Sequence, residues 1–241
     1  MKDEDMQLSP EQDRMSTGIG PVGEFFGGAG QRELQRRSAL LWHILKEDRR
    51  FQSHGRSIAL SDPTQDNVGE QIAVARLVGV CACEAVPAAD VPSRRAALET
   101  AGLTTDSYIE WRGGTDALDA ARRVLAQFAL PDDLTVRAVD TKTPSRTMKA
   151  LNEVTQACEV LLPNGAFMRG CERPAVCLFA EDSGGKVVGT SASVAAFHPS
   201  HARGRCAWWG LLATDPARRG QGIALHLGAR ALIEKGTPRY R

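Results

Sequence analysis

The stretch Leu211-Leu-Ala-Thr-Asp-Pro-Ala-Arg-Arg-Gly-Gln-Gly-Ile-Ala224 decides how the second half of this chain folds. It opens at the end of an apolar run typical of a strand, which Asp215-Pro216 terminates, and a helical pattern starts at Gly222. A strand that passes through a glycine turn directly into a helix leaves helix-start N–H groups without intrahelical partners. Because these groups and the helix dipole favour negative charge, the stretch is predicted to bind phosphate.

The pattern around this stretch predicts a defined order of elements. One strand is followed by a helix, then by three strands, and finally by the helix that the glycine turn begins. The expected ranges are a strand at 134–139, a helix at 145–162, strands at 175–180, 186–197 and 206–214, and a helix at 222–234.

The turn residues Arg219-Gly-Gln-Gly222-Ile-Ala224 resemble the Arg/Gln-x-x-Gly-x-Gly/Ala motif of the GNAT superfamily of N-acetyltransferases. The order of elements resembles that family too, over roughly residues 134–236. The resemblance implies an α/β fold of the mixed-sheet (α+β) kind, with a GNAT-like acyl-CoA N-acyltransferase domain over 132–241. It also implies acetyl-coenzyme A as cosubstrate.

The same resemblance assigns the residues that would hold the coenzyme. Backbone groups of Leu212 and Thr214 would bind the pantetheine arm, and the amides from Arg219 to Ala224 would bind the diphosphate. Glycine lets the backbone approach phosphate closely. The predicted cofactor-binding residues are Leu212, Thr214, Arg219, Gly220, Gln221, Gly222, Ile223 and Ala224.

In this family the acetyl group passes directly to an acceptor amine, which here is expected to belong to a small molecule or a protein. The sequence does not assign the catalytic residues. Candidate bases are Glu181 at a strand end, Asp215 after the cofactor strand and His198 in a turn, and each also has an ordinary reading as a turn or surface residue.

Two departures limit the resemblance, one at the end of the chain and one in its first half, which the family's pattern does not match. GNAT domains continue after the cofactor helix with a strand and a helix that carry the usual tyrosine acid, and residues 235–241 do not match them. The domain is therefore expected to be C-terminally incomplete and to transfer acetyl groups poorly. Pairing with a second copy is one expected consequence, because an exposed strand edge favours association.

The first half of the chain divides into two predicted regions. Residues 1–30 have few large apolar side chains and predict a disordered tail. Residues 31–131 predict an α/β region of unknown role, with helices at 33–47, 93–101 and 115–128, strands at 56–60 and 107–111, and an undecided apolar run at 69–83. Its helix at 94–101, Gly102-Leu103 and strand at 107–111 faintly resemble the end of a GNAT domain, so a degenerate GNAT half is one interpretation.

The composition argues against several classes of partner. The 30 Lys and Arg nearly balance the 29 Asp and Glu, which disfavours nucleic acid. The six cysteines lack paired C-x-x-C spacing, so no metal site is predicted, and reduced buried cysteines favour a cytoplasmic location. No apolar run approaches about 20 residues, so no membrane span is expected.

Further side chains near the turn carry alternative interpretations. Trp208 and Trp209 should lie on opposite faces of one strand, with core packing favoured over acceptor recognition. His201, Arg203 and Arg205 form a basic loop, for which a solvated loop is favoured over contact with an acidic acceptor or the adenosine phosphate. His226 is interpreted as structural.

Three functions from different classes fit these observations. The first is an acetyl-CoA-dependent N-acetyltransferase. The second is a non-catalytic acetyl-CoA-binding or interaction module derived from such an enzyme, and the third is a nucleotide-binding α/β protein that uses the same turn. Binding of ATP without binding of coenzyme A would favour the third.

Overall fold

A computed structural model describes residues 23–235 as two sheets surrounded by helices. The helices are α1 (Ala29–Leu45), α2 (Val68–Val78), α3 (Val91–Thr100), α4 (Thr115–Gln127), α5 (Ser145–Gln156), α6 (Gly165–Met168) and α7 (Ile223–Lys235). The strands are β1 (Phe51–Ser53), β2 (Ile58–Leu60), β3 (Ala82–Cys83), β4 (Leu134–Ala138), β5 (Ala175–Asp182), β6 (Val187–Val194) and β7 (Trp208–Thr214).

The first sheet is small and mixed. Its order is β1-β2-β3, with β1 antiparallel and β3 parallel to β2. The apolar run that the sequence left undecided forms α2 and then β3, separated at Gly79, whose φ of 109° ends the helix in a left-handed conformation. Such a conformation favours glycine, which has no Cβ to clash.

The second sheet is antiparallel throughout, in the order β4-β5-β6-β7. Strand β5 lies inside the sheet, and its residues 175–180 are buried on both faces. Val176 and Leu178 pack on the side of α7, whereas Cys177 and Phe179 belong to the core on the other side. The predicted order of strand, helix, three strands and helix is found in the structure, with the short α6 added before β5.

One hydrophobic core takes side chains from both sides of the predicted boundary at residue 131. Trp42 of α1 contacts Phe167 of α6, with ring centroids 5.8 Å apart. Gln35, which is fully buried, donates from Nε2 to the Leu162 carbonyl at 2.8 Å. On the other face of the second sheet, α4 packs along α7, and the Phe128 carbonyl lies 3.0 Å from His226 Nδ1. The division into two regions stays a prediction.

The end of the predicted tail packs against this core. Phe26 is buried, and its backbone N–H donates to the Gln35 side chain at 3.1 Å. Glu24 pairs with Arg169 at 2.8 Å, and both side chains are largely buried. The prediction of a disordered tail is therefore wrong for residues 23–30, where Phe25 and Phe26 supply apolar surface. Residues 1–22 lie outside the described part of the chain.

Several other predicted elements differ from the structure. The predicted strand at 107–111 is not found, and residues 103–114 form neither helix nor strand. Pairing depends on a neighbouring edge, which local propensity cannot supply. Helix α3 ends as predicted near Gly102, whose φ is 82°. Within residues 23–235, no helix has the length and apolar character needed to cross a membrane.

Candidate functional site

Strand β7 leads into the predicted turn through a β-bulge. Thr190 of β6 pairs with Ala213 and Ala192 pairs with Gly210, so Leu211 and Leu212 together oppose the single residue Ser191. Leu211 has a φ of 58°, in the left-handed region that residues with a side chain rarely adopt. A bulge interrupts the hydrogen-bond ladder, so Leu212 has no strand partner in the ladder with β6. In the described part of the chain, the other edge of β7 carries no strand.

The turn after β7 is fixed by one carboxylate and two glycines. Asp215 caps a short 3₁₀ helix, Pro216–Arg218, by accepting a hydrogen bond from the Ala217 N–H at 2.9 Å. Gly220 and Gly222 have φ of 79° and 75°. A Cβ on either would meet no atom within 4 Å, so the conformation rather than crowding within the chain requires glycine at both positions.

Helix α7 starts directly after this turn and directs its first amides toward the turn. Its first helical hydrogen bond runs from the His226 N–H to the Gly222 carbonyl at 2.9 Å. The N–H groups of residues 223–225 therefore precede the helical ladder. Ile223 is buried against β5 and β6, which anchors the start of the helix to the sheet.

A pocket of about 410 Å³ lies where the strand, the turn and the helix meet. Seven of the eight predicted cofactor residues line it. The exception is Gln221, whose side chain accepts from Arg218 Nε at 2.9 Å. The lining residues are Cys158, Leu212, Ala213, Thr214, Arg218, Arg219, Gly220, Gly222, Ile223, Ala224 and Leu225.

Two ion pairs hold the turn against the sheet. Arg218 forms two hydrogen bonds with the Asp133 carboxylate, at 2.9 and 3.0 Å, at the start of β4. Lys186 lies 2.5 Å from the Asp215 carboxylate. Neither pair was predicted from the sequence, because the partners of Arg218 and Asp215 are 85 and 29 residues away along the chain.

Cys158 is a pocket residue that the sequence motif does not contain. It follows α5, and its thiol donates to the Thr214 carbonyl at 3.2 Å. The Arg219 guanidinium lies 3.8 Å from the same sulfur. Most cysteines were expected to be buried apolar side chains, but only Cys81 and Cys177 are buried. No local signal in the sequence distinguishes Cys158.

Comparisons with known proteins do not establish a family for this chain. No family model matches this chain, and no curated protein matches it. A GCN5-related N-acetyltransferase from Kribbella flavida is similar in structure over 44% of this chain and 37% of its own, with 16% identity and a TM-score of 0.33. A Drosophila protein is similar over 94% of this chain and 83% of its own, with 11% identity and a TM-score of 0.38. Similarity this weak carries no argument about activity.

The three candidate bases already have partners in the structure. Asp215 pairs with Lys186, whose ammonium holds the pKa of this carboxyl below its usual range. A carboxylate with a lowered pKa is a weak proton acceptor. Glu181 accepts from Arg137 Nε at 2.8 Å, and His198 Nδ1 lies 2.8 Å from the Ser200 hydroxyl.

The basic loop after β6 is partly buried, which contradicts the prediction of a solvated loop. His201 Nε2 lies 2.6 Å from Asp62, and its side chain is 6% exposed. Arg203 pairs with the same carboxylate at 3.0 Å and stacks over Phe197 at 4.4 Å. The prediction failed because Asp62, the acidic partner of both side chains, is remote from this loop in the sequence. Arg205 is exposed.

The two tryptophans of β7 contact different parts of the molecule. The Trp209 indole N–H donates to the Gly228 carbonyl of α7 at 3.0 Å. Trp208 stacks on His54, with centroids 4.4 Å apart, and the Arg56 guanidinium lies 5.1 Å from its ring.

Glu84 lies on the side of the fold where the first half meets the loop after β6. Burial raises the pKa of its carboxyl, and the nearby Glu110 raises it further. Sequence reasoning gave no reason to select Glu84, because its environment is set by the fold. In residues 23–235, no group of three His, Cys, Asp or Glu side chains is arranged to hold a metal ion.

Proposed function

We propose that this chain is an acetyl-coenzyme A-dependent N-acetyltransferase of the GNAT type. The observation that carries the proposal is the meeting of a bulged edge strand, a turn with two left-handed glycines and a helix start around one pocket. The motif resemblance at Arg219–Ala224 supports the same coenzyme.

We expect the pocket to bind the diphosphate and the pantetheine arm of the coenzyme through different groups. The diphosphate would accept hydrogen bonds from the amides of residues 219–224, at the positive end of the α7 dipole. The pantetheine arm would run back along β7, where Leu212 has no partner in the ladder. The arm would thus approach the beginning of β7 with its thioester end.

The proposed reaction is direct transfer. The amine nitrogen of the acceptor attacks the carbonyl carbon of the thioester, a C–N bond forms and the C–S bond breaks. The nitrogen loses one proton, the sulfur leaves as thiolate, and protonation gives free coenzyme A. Placing the amine and the thioester together supplies much of the rate enhancement in reactions of this kind.

The contacts of the three candidate bases favour a second function, that of a non-catalytic module. Asp215, Glu181 and His198 each contact another side chain, and none of them lines the pocket. A non-catalytic module that binds acetyl-coenzyme A and transfers nothing would fit this arrangement. The difference between the two functions is measurable as turnover.

The experiment is release of coenzyme A from acetyl-coenzyme A in the presence of a panel of primary amines, measured with a thiol reagent. The panel contains small amines and lysine peptides, because both acceptor classes stay predictions. Amine-dependent release supports the enzyme. Binding of acetyl-coenzyme A without amine-dependent release would contradict the enzyme and support the non-catalytic module.

Light scattering on the same sample tests the predicted homo-oligomer. The cytoplasmic location and the exclusion of nucleic-acid partners also stay predictions.

A further inference from the structure

Arg56 stands at the tip of the β1–β2 hairpin, which is docked onto the second half of the chain. Gly55 has a φ of 90°, and a Cβ there would lie 2.6 Å from Phe167 Cβ, so the hairpin approaches α6 closely. The Asn164 N–H donates to the Gly55 carbonyl at 2.8 Å. This contact places the Arg56 guanidinium over the indole of Trp208.

Two nitrogens of Arg56 have no hydrogen-bond partner. Nε and Nη2 are inaccessible to solvent, and no group in residues 23–235 accepts a hydrogen bond from either of them. Buried polar groups are almost always hydrogen-bonded, and a buried charge normally has a counter-ion. Burial lowers the pKa of Arg56 to about 10, so the guanidinium stays charged at neutral pH.

His54, which stacks on Trp208, supplies no negative charge, because an imidazole is either neutral or cationic. Burial, and secondarily the charge of Arg56, lowers the pKa of His54 to about 3, so this imidazole is neutral near pH 7. Trp208 offers only the face of its ring. Within the described residues, no carboxylate forms an ion pair with Arg56.

The unpartnered atoms indicate which anion fits. Nε and Nη2 form one edge of the planar guanidinium, and their two parallel N–H bonds match the two oxygens of one carboxylate. A carboxylate would satisfy both donors and cancel one charge. A phosphate dianion would leave additional charge in the same buried place, which is unfavourable.

The Nε–Nη2 edge of Arg56 lies near the start of β7, which the thioester is proposed to approach. Trp208 is the first residue of β7, and Leu211 in the bulge lies three residues later, about 10 Å away at the usual rise of a strand. We propose that Arg56 and Trp208 form a carboxylate subsite for the acceptor, so that the acceptor is a primary amine that also carries a carboxylate. This inference rests on the proposed acetyltransferase function.

Entry of the acceptor requires a local movement. The segment 103–114 forms neither helix nor strand, and its Tyr108 lies near enough to Arg56 to oppose the lowering of the pKa of that guanidinium by burial. Tyr108 is also exposed to solvent. We expect a shift of this segment, which belongs to neither sheet, to expose the guanidinium edge.

The test compares amines that differ only in the carboxylate. β-Alanine and propylamine are titrated into the protein by calorimetry, and both are assayed for release of coenzyme A. Wild-type protein should prefer β-alanine. Arg56→Lys keeps the positive charge but lacks the two-donor edge, and should weaken β-alanine binding at least tenfold while leaving propylamine unchanged.

Arg56→Met and Arg123→Gln complete the design. Arg56→Met should lose the preference for β-alanine yet melt at the wild-type temperature or above, because it removes a buried charge that lacks a partner. Arg123 is exposed on α4, so Arg123→Gln is the control for loss of an arginine. A lowered melting temperature with unchanged preference would overturn the subsite and assign Arg56 to structure.

The outcomes separate the inference from the proposed function. Acetyl-coenzyme A binding and turnover without any effect of Arg56 on β-alanine would overturn the subsite alone. Arg56-dependent β-alanine binding by a protein that does not bind acetyl-coenzyme A would overturn the proposed function, and with it the acceptor role of the subsite.

Discussion

Cys158 contributes a thiol to the proposed coenzyme pocket through its contact with the Thr214 carbonyl. The glycines of the pocket could be predicted from the sequence, because left-handed conformations strongly favour glycine. Cys158 could not, since its role depends on where the end of α5 meets β7. The same is true of Arg218, whose partner Asp133 becomes a neighbour only through the sheet.

We expect acetyl-coenzyme A to protect Cys158 from alkylation. A ligand in the pocket would cover this thiol, whereas Cys171 and Cys206 are exposed elsewhere and serve as internal controls. Labelling with iodoacetamide, followed by mass spectrometry of each cysteine peptide, measures the effect. Equal labelling of Cys158 with and without saturating acetyl-coenzyme A would show that the ligand binds elsewhere.

His54 makes the stability of the fold dependent on pH. Its pKa is lowered to about 3, chiefly by burial, whereas an unfolded histidine has a pKa of about 6.5. The unfolded state therefore binds the proton first as the pH falls below 6.5, and stability decreases between about pH 6.5 and pH 3.

His54→Phe should remove this dependence while retaining a ring against Trp208. Between pH 7 and pH 5, the wild type should lose about 2 kcal/mol more unfolding free energy than the variant. Urea unfolding at the two pH values gives the difference. Equal losses in both proteins would mean that His54 is protonated in the folded state.

At the scale of elements, the sequence predicted the strand, turn and helix around residues 211–224 because each has a local cause. Apolar runs define β7 and α7, and Asp215-Pro216 separates them. The bulge at Leu211 was not predicted, since it depends on the register with β6. The strand predicted at 107–111 failed for the complementary reason, because its residues suit a strand but no strand pairs with them.

The turn is proposed to act through its backbone, which limits the effect expected at Arg219. This side chain is exposed, so its charge is screened by solvent. Arg219→Ala should therefore reduce the free energy of acetyl-coenzyme A binding by only about 0.2–1 kcal/mol. Calorimetry with Arg123→Ala as control measures this loss. A loss larger than that caused by Gly222→Val would assign the dominant role to charge.

At the scale of the whole molecule, both halves of the chain contribute side chains to one hydrophobic core. Residues from α1 and the first sheet pack with residues from α5, α6 and the second sheet in one cluster. The sequence pattern identified most of these elements but not their common core. Periodicity shows which face of an element is apolar, and not which partner covers it.

We expect both halves to unfold in one transition. Phe167 is buried between Trp42 and the β1–β2 hairpin, so Phe167→Ala should destabilise the whole described fold by about 3–5 kcal/mol. Phe128→Ala is the control, because Phe128 is 47% exposed. Hydrogen exchange in denaturant, resolved by peptide, reports the halves separately. Distinct transitions for residues 31–131 and 132–235 would support two independent domains.

The central claim is that the turn at residues 219–224 binds the diphosphate of acetyl-coenzyme A. Calorimetric titration of acetyl-coenzyme A into the wild type, Gly222→Val and Gly102→Val tests it most directly. Gly102 has a similar φ of 82° at the end of α3, so its variant matches the backbone strain away from the pocket. Gly222→Val should weaken binding at least tenfold, about 1.4 kcal/mol, and Gly102→Val should not. Equal affinities in all three folded proteins, or binding of ATP but not of acetyl-coenzyme A, would contradict the claim.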